Sequence, residues 1–175
     1  GLRLSLEKTR VVHINEGFTF LGETIRRQRK RGTSKYYVYT KPSKQAIQKA
    51  KDKVSAKTYR STRNQSLDKV ITGLNQYLVG WANYFRYGVS KAVFSALDNH
   101  AWGRLMRWTR AKYAGKRRLG MKEIRRRFCD VGWRFAHNGV AFTGASSVKV
   151  TRYRYRGSKI PTPWTIEPAA VTVTG

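Results

Sequence analysis

Nine acidic residues are all that this 175-residue chain sets against 37 lysines and arginines. Glu7, Glu16, Glu23, Asp52, Asp68, Asp98, Glu123, Asp130 and Glu167 are scattered, so no pair is placed to hold two metals for phosphoryl transfer. The single cysteine, Cys129, excludes an internal disulfide and gives no zinc framework. It follows three arginines that could lower its pKa, but no histidine partner is suggested, and a buried thiol is expected. His13, His100 and His137 lie in separate segments without ligand spacing, which assigns them structural roles. No Gly-rich phosphate loop is present, so nothing points to nucleotide hydrolysis. No apolar run approaches the roughly 18 residues of a membrane span, and no signal-peptide pattern opens the chain. A reducing, cytoplasmic compartment is the default expectation. No catalytic set remains, and no metal or cofactor is expected in this chain.

What is abundant is positive charge. The formal net charge is +28 and the pI about 11.1. Self-repulsion of that size opposes compaction unless a polyanion neutralises it, so a nucleic-acid partner is the first expectation. A membrane surface is the rival, but a peripheral anchor concentrates its charge in one amphipathic segment, and here cations run from end to end. Hydrophobic content of 40% is adequate for a real core, in one domain or one domain with an appendage. The chain opens with Gly1, in a segment that reads as mid-protein, and is expected to be a fragment.

Three stretches are expected: a β-rich part at 1–41, a helical domain at 42–115 and a basic extension at 116–175. In the first, Phe18, Phe20 and Leu21 form a short apolar stretch and Tyr36-Tyr37-Val38-Tyr39 is strand-prone. Arg26, Arg27, Arg29, Lys30 and Arg31 run into Gly32 as a basic hairpin tip, suited to phosphate. Ser43 is a candidate N-cap for a helix over 44–58, with a thin apolar stripe of Ala46, Ile47, Ala50 and Val54. Lys49, Lys53 and Lys57 on that helix, then Arg60 and Arg63 in the break after it, are candidate RNA contacts. Ser66 starts a second helix whose core face holds Leu67, Val70, Ile71, Leu74, Leu78, Trp81 and Phe85, with Gly88 as its stop. Ser90 caps a third, to about Gly115, burying Phe94, Leu97, Ala101, Trp102, Leu105 and Trp108. Arg107 and Arg110 project from its opposite side and Arg104 sits near the border.

The extension begins with the basic linker Lys116-Arg117-Arg118. A short helix over 121–128 follows, in which Arg125 and Arg126 are candidate contacts. Asn138-Gly139 is a hairpin turn signal. From Val148 the sequence alternates as a strand would, placing Arg152, Arg154 and Arg156 on one face. That face would either track a phosphate backbone or serve as a charged edge against sheet pairing. The fold class expected is mainly α: a basic bundle of about three helices, with a β-hairpin on the N-terminal side and short β structure in the tail.

Within the second helix, Gly73 and Gly80 lie on nearly one side, flanked by Tyr77 and Tyr84. Each glycine costs up to ~1 kcal/mol there, so the notch should serve something. Close packing of a neighbouring helix is the favoured account, and a groove for an RNA backbone the other. Asn75, Gln76 and Asn83 face away from the core as solvated amides, with Asn83 and Arg86 as candidate RNA contacts.

The run Leu74-Asn75-Gln76-Tyr77-Leu78-Val79-Gly80-Trp81-Ala82-Asn83-Tyr84-Phe85-Arg86 resembles the signature of the maturase-specific thumb, or X, domain of group II intron reverse transcriptases. Leu97-Asp98 and Arg104-Leu105-Met106-Arg107-Trp108 follow in that family's order. Leu4-Ser5-Leu6-Glu7-Lys8-Thr9-Arg10 and Gly17-Phe18-Thr19-Phe20-Leu21-Gly22 are similar to the last block of its palm. The resemblance covers roughly residues 4–113; the tail is similar, less specifically, to C-terminal extensions of some bacterial members. It implies that 1–41 end a palm and 42–115 form the thumb. The implied partners are group II intron RNA, held in the fold in which it splices, the template-primer duplex, and the remainder of the reverse transcriptase. The family's Asp-Asp polymerase turn, expected before Gly1, and its Cys-rich endonuclease module are absent. Magnesium is accordingly expected only in that polymerase site and in the intron. The implied setting is bacterial, cytoplasmic and nucleoid-associated. A basic, non-catalytic scaffold for structured RNA in general is the competing expectation.

Overall fold

The computed structural model describes residues 11–113 and 119–152. Three antiparallel strands come first: β1 (Phe18–Phe20), β2 (Glu23–Arg29) and β3 (Tyr36–Pro42), in that spatial order. β1 and β2 reverse over Leu21 and Gly22, whose φ values of 47° and 79° are both left-handed, the geometry that a two-residue hairpin needs. Phe20 opposes Glu23 across it. Between β2 and β3, Gly32 (φ 75°) makes the turn while Lys30 N–H donates to the Lys35 carbonyl at 2.9 Å. One expectation is corrected here: Arg26, Arg27 and Arg29 are strand residues of β2, and only Lys30 and Arg31 lie in the tip.

Pro42 and Ser43 are buried where the sheet hands over to α1 (Lys44–Lys57). The Ser43 hydroxyl accepts from Ala46 N–H at 3.1 Å, the expected cap. Only Ala50 and Val54 of α1 are buried, with Ala46 and Ile47 partly so. A single-turn 3₁₀ segment, Arg60–Asn64, then leads to α2 (Leu67–Phe85). Buried along α2 are Leu67, Val70, Ile71, Leu74, Leu78, Ala82 and Phe85, while Trp81 is half-buried against Phe85 and Phe94. The helix ends by close approach of two backbones. At Gly88 a Cβ would stand 2.8 Å from the Thr40 carbonyl oxygen of β3, and Val89 N–H donates to that oxygen at 2.8 Å. Gly88 is required there for want of space, not for a left-handed stop.

α3 (Lys91–Tyr113) buries Phe94, Leu97, Ala101, Leu105, Met106, Trp108 and Thr109; Trp102 is half-buried. The Ser90 hydroxyl does not cap it. It turns back to donate to the Phe85 carbonyl at 2.5 Å, satisfying an orphan acceptor of α2. Beyond it, α4 (Met121–Phe128) occupies the span expected of the short helix. β4 (Ala136–His137) and β5 (Val140–Ala141) form the expected hairpin, with Asn138 and Gly139 at φ 49° and 76°. Ile124, Phe128, Phe135, Phe142 and Ala145 join one continuous core with the bundle. Val148 to Arg152 make no strand; the rest of the alternating run lies outside the described residues, as do Lys116, Arg117, Arg118, Arg154 and Arg156.

Candidate nucleic-acid interface

α1 packs chiefly on α3, and this seam organises the first group of cations. Arg104 of α3 lies at the border of the buried face, as expected, half-buried and turned onto the end of α1. Its Nε donates to Thr58 Oγ1 at 3.0 Å and its Nη2 to the Ser55 and Thr58 carbonyls at 3.1 Å each. It therefore satisfies the open end of α1, where carbonyls lack helical partners and a cation is favoured. Trp108 Nε1 donates to Thr62 Oγ1 at 3.0 Å, and Lys112 Nζ donates to the carbonyls of Arg63 and Gln65. These contacts pin the 3₁₀ turn to α3, so that Arg60 and Arg63 are held at the surface on a fixed backbone. Lys49, Lys53 and Arg107 are exposed, with Lys57 half-buried beside Gly73. Arg110 departs from expectation: it is half-buried, and its Nε has no acceptor among the described residues.

His100 lies in the same seam, its Nε2 3.2 Å from Ser55 Oγ. Burial pushes its pKa down; a backbone hydrogen bond at Lys51 opposes this, and the charges of Lys51, Arg104 and Arg107 add to the lowering. Lysine, arginine and histidine thus gather here without a carboxylate among those neighbours, an arrangement suited to phosphate oxygens.

The second group lies on the sheet. Arg26 Nε donates to the Asn15 carbonyl at 2.8 Å and Arg29 Nε to the Thr33 carbonyl at 2.6 Å, while Arg27 lies over the Tyr36 ring at 5.3 Å. Their guanidinium groups are tethered, yet all three side chains stay exposed alongside Lys30 and Arg31. A third group is on α4. Arg125 stacks over Trp133 at 4.7 Å, and Arg126 pairs with Glu123 at 3.1 Å with 77% of its side chain exposed. Arg86, half-buried, reaches Asn83 Oδ1 at 3.5 Å and lies over Tyr87 at 5.2 Å; Arg152 is exposed.

The acids explain why so many cations are left over. Asp98 accepts from Ala145 N–H at 2.6 Å and Ser146 N–H at 2.8 Å. Asp68 pairs with His137 Nδ1 at 3.2 Å and accepts from Asn138 at 3.3 Å. Burial alone would raise the Asp68 pKa, but hydrogen bonds from His137 and Ser66 outweigh it and hold the carboxyl below 3.8. Asp130 holds Arg134 at 2.6 Å, a bond that lowers the acid and raises the base. Among the described residues, ion pairs reach only Arg126, Arg127, Arg134 and His137. Asp68 and Asp98 are staples between distant segments, Glu123 and Asp130 pair locally, and most surface cations keep no acidic partner among the described residues.

Two expectations on α2 fail. Asn75 is no solvated amide: its Nδ2 donates to the Ala141 carbonyl at 2.8 Å and its Oδ1 accepts from Thr143 N–H at 2.9 Å. Among the described residues no neighbouring helix packs into the Gly73–Gly80 notch. A Cβ at Gly80 would meet nothing within 4 Å, and one at Gly73 only Lys57 Nζ at 3.6 Å. Tyr84, beside it, is exposed and donates to the Leu21 carbonyl at 2.9 Å. Sequence reasoning also missed Trp102 Nε1 donating to the Trp133 carbonyl at 2.9 Å, a contact between segments 31 residues apart with no local periodicity to signal it. Cys129 is half-buried and burial pushes its thiol pKa up, in keeping with an inert thiol. Among the described residues no group of three His, Cys, Asp or Glu side chains could hold a metal ion, and no helix is long and apolar enough to cross a membrane.

No curated protein matches the chain. Residues 47–128 match the family described as the group II intron, maturase-specific domain. That span begins in the first turn of α1, crosses the signature run on α2, and ends with the last residue of α4. Over residues 47–128 the helical body of this chain is therefore similar to the group II intron, maturase-specific domain.

Proposed function

We propose that the chain binds group II intron RNA and stabilises the fold in which that RNA splices itself, the protein supplying position and charge and the RNA the chemistry. The observation that carries this is the α1–α3 seam, where Lys49, Lys53, Arg60, Arg63 and Arg107 are exposed and have no carboxylate partner among the described residues. A-form RNA offers a wide, shallow minor groove lined with 2′-hydroxyls and flanked by phosphates, a surface against which a rigid basic bundle can lie. As the thumb of a larger reverse transcriptase the same helices would grip the template-primer duplex, with the sheet adjoining the rest of that protein. The polymerase metals belong to that remainder and to the intron.

The test is a salt titration. Affinity for intron RNA should fall by ~10³-fold or more between about 50 and 200 mM salt if six or more phosphates are contacted. Affinity for the intron should stay above that for a random duplex throughout. Convergence of the two at every ionic strength would leave only a general scaffold for structured RNA.

A further inference from the structure

Beside the edge strand β3, the sheet and the turn between α2 and α3 enclose an open trough of about 1230 Å³. Tyr36, Tyr37, Tyr39 and Tyr87 line it, together with Lys30 and Arg152. Three of these rings belong to no core: Tyr36 is 57% exposed, Tyr37 47% and Tyr87 54%. Two carry an arginine on the ring, Arg27 over Tyr36 at 5.3 Å and Arg86 over Tyr87 at 5.2 Å.

The trough is also built rigidly. Val89 N–H and the close approach at Gly88 fix the turn to Thr40, and Thr151 N–H donates to the Arg86 carbonyl at 2.9 Å, which brings Arg152 to the rim. Among the described residues Glu23 is the one carboxylate in the lining, set against the cations Lys30 and Arg152. Val38 and Val89 also line the trough, so its aliphatic share is small beside its four tyrosines. Flat electron-rich rings interleaved with cations match an unpaired nucleotide, which needs a ring face for its base and a positive charge for its phosphate. The phenylalanines of the sheet, Phe18 and Phe20, lie on the far strand β1 outside this trough.

We propose that this trough is a binding site for single-stranded RNA, whose unpaired bases stack on Tyr36 and Tyr87 while Lys30 and Arg152 meet its phosphates. It rests on the RNA-binding reading above and adds the form of RNA taken at this place. Duplex RNA keeps its base faces stacked inside the helix and cannot use the rings.

The experiment uses the full chain with a single-stranded RNA 12-mer carrying 4-thiouridine and with a duplex of the same length. Ultraviolet crosslinks should map to Tyr36 or Tyr87. Tyr36→Ala and Tyr87→Ala should each weaken single-strand binding roughly tenfold and leave duplex binding unchanged. Tyr36→Phe should bind like the parent, because stacking needs the ring and not the hydroxyl. The site is wrong if the alanine variants bind the single strand as the parent does, weaken both RNAs equally, or leave the crosslinks elsewhere, as they would if the trough receives a protein segment. Failure of the unaltered chain to bind either RNA at low salt would instead remove the RNA-binding reading itself.

Discussion

Arg104 shows how a cation can be abundant in type and still committed in position. It places three donor contacts on the end of α1, and truncating it leaves two carbonyls and a hydroxyl without that partner. Arg104→Ala should cost about 1–3 kcal/mol of stability, read as a lower denaturant midpoint with an unchanged slope. An Arg107→Ala control, at an exposed position, should stay within about 0.5 kcal/mol. Asp68 supplies a pH test. Its folded pKa lies below the ordinary 3.8, so its contribution is present above that value and is lost as pH falls through the lower folded one. The Asn138 side-chain amide resonance should therefore shift toward its free position as pH falls below about 4. An amide signal that stays put while Asp68 titrates would mean the hydrogen bond does not hold the hairpin.

At the scale of elements, α2 carries two interior glycines against which no described backbone packs closely. Gly80→Ala should stabilise the chain by about 0.5–1 kcal/mol, with Gly73→Ala similar, since neither new methyl group meets a clash. A lower melting temperature for Gly80→Ala would show that the helix needs the glycine conformationally. Helices were the legible part of the sequence. The buried face of α2 follows its apolar period except that Ala82 is enclosed where Trp81 is only half so, and α4 and the Asn138-Gly139 hairpin fall where local signals put them. What periodicity could not show is the destination of polar groups. Asn75 and Arg104 look like surface residues because their partners lie 46 to 68 residues away. The same limit holds for the site. Exposed lysines on α1 were legible as such, whereas the trough beside β3 depends on how the α2–α3 turn meets the sheet.

The whole molecule balances a shared apolar core against a surface of nearly one sign. Each fully enclosed leucine or phenylalanine contributes roughly 1.5–3 kcal/mol, and the core runs from Ala50 to Ala145 without interruption. Cation removal should therefore act on binding more than on folding. Replacing Lys49, Lys53 and Arg63 together by glutamine should reduce the slope of log affinity against log salt by ~2–3 if all three touch phosphate, with little change in melting temperature. A slope that stays constant would place the RNA on the sheet and α4 instead.

The clasp formed by Asp68, Asn75 and Asp98 has a consequence in time. Each of these side chains waits for a partner 47 to 70 residues further along the chain. During synthesis, at about 5–20 residues per second, α2 and α3 emerge seconds before the hairpin that joins them. Until then two carboxylates and an amide sit beside a young apolar core with only water to satisfy them. The bundle can collapse early, but its polar seam closes late, and a chain stalled in that interval would carry its helices without the strap that holds them together.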